Sequence, residues 1–172
     1  MPEFEPITGR YFTMEVDGKP CRIYVEEAGT GTPLVCLHTA GSDARQYRHL
    51  LCDKSITDHY RVIAFDLPWH GKSNPPPGFR EDEYKLTTDL YKETVMAFCD
   101  AYELVDPVVM GCSMGGRVVL HLALEQAGYF KAVIALEGSD KLDAYYDLEW
   151  LHRPDVHGGE IASAFVSAQV AP

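Results

Sequence analysis

Four short apolar runs do most to constrain what this chain can fold into: residues 33–38 (PLVCLH), 61–65 (RVIAF), 107–111 (PVVMG) and 131–136 (KAVIAL). Each is dense in Val, Ile and Leu without alternation, which is how strands buried on both faces read. The segments between them carry helical patterns. Residues 47–53 (YRHLLCD) predict a short helix, residues 83–102 a long amphipathic one, and residues 114–128 one that begins at once after a strand. Strand alternating with helix specifies an α/β class, a mostly parallel, doubly wound sheet with helices on both faces. Ahead of this, residues 9–16 and 21–29 flank Asp17-Gly18, a hairpin signal whose turn is expected to be lengthened by Lys19 and Pro20.

Composition narrows the function classes. A formal net charge of −11 over 172 residues opposes binding to nucleic acid or to an anionic membrane surface. No apolar run reaches the length of a spanning helix, and the start, MPEFEPITGR, has no signal-peptide pattern, so the cytoplasm is the expected location. The cysteines Cys21, Cys36, Cys52, Cys99 and Cys112 are odd in number and contain no CxxC pair. Free thiols are expected, with no zinc site and no disulfide framework.

The chemistry-bearing motif is residues 109–116, VMGCSMGG, which contains G-x-S-x-G between a buried run and an amphipathic helix. That context suits a serine on a sharp strand-to-helix turn. Residues two positions either side of Ser113 must be small for such a turn to close, and the helix start aims free N–H groups at developing negative charge. Two further segments stand at strand ends: Leu37-His38-Thr39-Ala40-Gly41-Ser42-Asp43, and Asp66-Leu67-Pro68-Trp69-His70-Gly71-Lys72-Ser73.

In these three motifs and their order the chain resembles the α/β-hydrolase family over nearly its whole length, as the N-terminal part of such a fold. The resemblance implies Ser113 as nucleophile and the Met114 N–H as one oxyanion donor. Position in the loop after the first parallel strand implies Ala40 as the second donor, with Thr39, where glycine is usual, as the alternative. Trp69 likewise replaces a glycine of the family's D-x-P-G-H-G-x-S loop. Serine at the elbow separates the chain from the dehalogenase and epoxide hydrolase branches, which use aspartate. Residues 1–138 would form the hydrolase core and residues 139–172 the start of a cap.

The remaining catalytic groups are less defined. The acid usually follows a later strand; in members that carry it earlier, Glu137 or Asp140 would serve. His38 and His70 stand beside the site, bracing their loops or, for His38, touching substrate. Cys112 and the aromatic residues Tyr145, Tyr146 and Trp150 are candidate substrate contacts, the aromatics equally cap packing. His121 is about two helical turns from Ser113 and too far to deprotonate it. His49 and His59 read as surface residues, and His152 and His157 fall in the acidic segment that would open the cap. Glu81, Asp82 and Glu83 read as a solvated helix start.

The expected activity is hydrolysis of a carboxylic ester or related acyl compound through an acyl-serine, on a small-molecule substrate and without metal or cofactor. The other triad members would come from a missing or separate C-terminal part, the chain being one piece of a split or nicked protein or a truncated product, or else the base would be an unorthodox one such as His157. The expected partner is a second polypeptide carrying the C-terminal half of the fold, or a further copy in a homo-oligomer. The rival class is a non-catalytic hydrolase-fold protein that binds a small molecule or a protein partner.

Overall fold

The computed structural model describes residues 2–81 and 86–140. The chain divides into two units, residues 1–139 and 140–172. The cap expected over residues 139–172, with Tyr145, Tyr146, Trp150, His152 and His157, lies outside the described residues apart from Ser139 and Asp140.

An antiparallel hairpin opens the fold, β1 (Thr8–Val16) and β2 (Lys19–Ala28). Asp17 and Gly18 both take positive φ, 51° and 65°, so the turn is a tight two-residue one closed by the pair Val16 and Lys19. The expected lengthening by Lys19 and Pro20 does not occur. Pro20 pairs with Glu15 within the strand, one step beyond the closing pair, where the residue's N side faces away from β1. The proline therefore removes no ladder bond, because β4 meets β2 only from Val25 to Ala28.

The four apolar runs become β3 (Thr32–Leu37), β4 (Tyr60–Phe65), β5 (Val108–Cys112) and β6 (Ala132–Leu136). Among the described residues the sheet order is β1-β2-β4-β3-β5-β6, with β4, β3, β5 and β6 parallel. Successive residues of the central strands enter two separate cores. Val35, Leu37, Ile63, Phe65 and Val109 pack on one face, and Leu34, Cys36, Val62, Ala64 and Met110 on the other. That is why these strands are apolar without alternation. The first core is covered by α3 (Thr88–Ala101) and α4 (Met114–Glu125) through Val95, Phe98, Val118, Val119 and Leu122. The second is covered by a 3-10 turn (Ala44–Tyr47), α1 (Arg48–Cys52) and α2 (Lys54–Thr57).

Two expectations are corrected. The long helix starts at Thr88, capped by the Thr87 hydroxyl accepting from the Leu90 N–H at 3.1 Å, so Glu81 sits in a separate turn and not at a helix start. A side-chain cap decides a helix start more sharply than amphipathic spacing does. The sequence predicts burial on both faces for the run 131–136, yet Ile134 and Leu136 of β6 are 40% and 43% exposed. Among the described residues β6 is the edge strand, and burial depends on neighbours that periodicity does not report.

Candidate active site

The parallel strands all deliver their C-terminal ends to one edge of the sheet, and the sequence motifs meet there. Ser113 links β5 directly to α4 with φ 53° and ψ −110°, a conformation that L-residues avoid. Backbone contacts hold it: its N–H donates to the Leu136 carbonyl at 2.9 Å, and its carbonyl accepts from the Arg117 N–H at 2.8 Å. The side chain is exposed. Close packing explains the flanking glycines. A Cβ on Gly111 would stand 2.3 Å from the Gly115 backbone, and one on Gly115 would stand 2.5 Å from the Leu37 carbonyl oxygen.

Register sets the neighbours of Ser113. Leu37 pairs with Gly111, so the loop with Thr39 and Ala40 leaves the sheet beside Ser113, one strand spacing (about 4.8 Å) away. Met114 is the first residue of α4, where the N–H has no partner within the helix. The two alternatives in the neighbouring loop differ in structure. The Thr39 N–H donates to Gln46 Oε1 at 2.8 Å, whereas the Ala40 N–H donates to no other group among the described residues and Ala40 is exposed.

Five further hydrogen bonds brace this loop and the loop after β4. The Tyr47 hydroxyl donates to the Leu37 carbonyl at 2.7 Å, and Asp66 Oδ1 accepts from the Ala44 N–H at 2.7 Å. Asp66 Oδ2 accepts from the Lys72 N–H at 2.7 Å. Burial nevertheless holds the Asp66 carboxyl above the ordinary range, against the pull of those two donors. Lastly, His38 Nε2 accepts from the Leu67 N–H at 3.2 Å, which leaves Nδ1–H to donate to the Thr39 carbonyl at 2.9 Å.

His38 as a substrate contact is therefore corrected. It is 1% exposed with both ring nitrogens spent on backbone, because the loops after β3 and β4 close over it. Burial pushes its pKa down to about 4, so the ring is neutral at physiological pH. His70 bonds the Pro68 carbonyl at 3.0 Å and packs on the His38 ring at 4.9 Å. His121 lies along α4 beside Glu125, and His49 and His59 are exposed. None of these is placed to take a proton from Ser113.

Glu137 leaves β6 at the residue after the Cys112–Leu136 pair, level with Ser113, and takes a positive φ of 50°. The half-buried Cys112 Sγ lies 4.0 Å from its Oε2. Asp140 belongs to the second unit and is exposed. All five cysteines are free. Among the described residues no cluster of three His, Cys, Asp or Glu side chains could hold a metal ion, and no helix is long and apolar enough to cross a membrane. Gln46 and Tyr47 are the supports that sequence reading missed, and Asp66 stood in a recognised motif without its bracing role being read. Their signal is weak, since each acts on a group several residues or more away in the chain.

The profile of the α/β-hydrolase fold matches residues 32–156. The chain belongs to this family. It is 32% identical, over 67% of its length, to a 2-hydroxy-6-oxononadienedioate/2-hydroxy-6-oxononatrienedioate hydrolase of Escherichia coli, and covers 40% of that protein. It is 26% identical, over 74% of its length, to a pimeloyl-[acyl-carrier protein] methyl ester esterase of Nitrosospira multiformis, covering 46% of it. A thermophilic esterase structure from Thermogutta terrifontis superposes with a TM-score of 0.76 at 20% identity, over 94% of this chain and 57% of that one. The chain thus spans less than half the length of these two curated relatives.

Proposed function

We propose that this α/β-hydrolase chain carries the nucleophile and oxyanion site of a serine hydrolase acting on a carboxylic ester or related acyl compound through an acyl-serine. The observation that carries the reading is the strained backbone of Ser113, held by contacts to β6 and α4 with its hydroxyl exposed at a helix start. Such strain costs stability on the order of 1–3 kcal/mol and persists where the surroundings over-determine it, which is typical of active sites. In this reading the Ser113 oxygen attacks the acyl carbon, and the Met114 and Ala40 N–H groups receive the negative charge that forms on the carbonyl oxygen. The hydrolase and esterase relatives favour the same chemistry.

Glu137 is the acid candidate that the described residues favour, because it emerges beside Ser113. In this reading the proton acceptor comes from outside the described residues. The free thiols agree with a cytoplasmic setting. The test is labelling of the full chain with a fluorophosphonate. Modification at Ser113 that is absent in Ser113→Ala is the expected result. Folded protein that stays unmodified, alone and with a polypeptide completing the fold, favours a binding role instead.

A further inference from the structure

Resting on that reading, we propose that Gln46 is a positioning residue that selects the oxyanion donor. Two consecutive N–H groups, those of Thr39 and Ala40, leave β3 next to Ser113. Gln46 Oε1 accepts the Thr39 N–H at 2.8 Å and so occupies that group, leaving the Ala40 N–H, which has no partner among the described residues, as the donor. The amide oxygen must be the atom that faces Thr39, since the amide nitrogen would set donor against donor.

Gln46 is itself held on several sides. Its N–H donates to the Asp43 carbonyl at 3.0 Å, the preceding Ala44 N–H is fixed by Asp66, and the following Tyr47 hydroxyl is bound to the Leu37 carbonyl. Asp43 caps the same 3-10 turn through the Arg45 N–H at 2.9 Å and pairs with the Arg45 side chain, which holds its carboxyl below the usual range. The short turn thus links three points in one rigid bracket: the end of β3, the loop after β4, and the Thr39 amide. A backbone so braced fixes the point from which the Gln46 side chain reaches the Thr39 N–H.

The test combines amide exchange by NMR with fluorophosphonate labelling, using the full chain together with whatever polypeptide the labelling of the parent requires. In the parent, the Thr39 amide is expected to be protected and the Ala40 amide to exchange quickly. In Gln46→Leu the Thr39 protection should vanish, and the maximal labelling rate should fall about tenfold or more with initial probe affinity unchanged, since a misplaced donor fails only the charged state. Gln46→Glu keeps an acceptor, so Thr39 should remain protected and labelling should exceed that of Gln46→Leu. An unprotected Thr39 amide in the parent, or Gln46→Leu labelling at the parent rate, would overturn the proposal. If the parent never labels at Ser113, the catalytic reading fails separately, and the exchange data still decide whether Gln46 holds Thr39.

Discussion

Acidification should unfold this protein in part through one residue, His38. Its ring is 1% exposed and neutral, accepting from Leu67 and donating to Thr39. Burial lowers its pKa from 6.5 to about 4, partly opposed by the bond to the Thr39 carbonyl. The unfolded chain therefore binds a proton at a pH where the folded chain does not. Stability linked to His38 is fully present above about pH 6.5, declines as the pH falls through that value, and is gone below about pH 4. The shift corresponds to about 3 kcal/mol in total, of which about 2 kcal/mol is lost by about pH 5. Urea unfolding of the parent and of His38→Gln, followed from about pH 7.5 down to about pH 5, measures this directly. The glutamine offers an acceptor and a donor without titrating, so the variant is expected to be less stable at neutral pH but to lose about 2 kcal/mol less on acidification. Equal loss in the two proteins would show that His38 does not carry the acid sensitivity, and the neutral buried tautomer would have to be abandoned.

Two further outcomes follow from the turn at Ser113. Ser113→Gly should raise stability by about 1 kcal/mol, because glycine enters the left-handed region without steric cost; a lower thermal midpoint than the parent would contradict the strain. Gly115→Ala should destabilise by about 1–3 kcal/mol and slow labelling of Ser113, since its Cβ would meet the Leu37 carbonyl oxygen at 2.5 Å and push α4 off the loop after β3. Denaturant unfolding and labelling rate, measured together, check both effects.

Much of this protein is legible in residue order. Unalternating apolar runs separated by amphipathic segments specify a two-layered parallel sheet, because a strand covered on both faces has no polar side to show. Gly111, Ser113 and Gly115 together announce a turn tight enough to exclude side chains, and the structure shows the backbone each glycine would strike. Asp17-Gly18 announces the hairpin, since both residues tolerate positive φ. These features are local, and local sterics act on neighbours in sequence.

What tertiary structure alone decided involves partners distant in sequence or choices between near-equal groups. His38 could be ligand-facing or structural until the loop after β4, carrying Leu67, closed over its ring. The loop after β3 offers the N–H groups of Thr39 and Ala40, and only the 3-10 turn, by placing Gln46 against Thr39, makes them differ. The apolar run of β6 read like that of β5, and only sheet order exposed it, because burial belongs to the neighbours of a strand and not to its own side chains. A hydrogen bond or a covering strand contributed from far along the chain leaves no periodic trace in the sequence it acts upon.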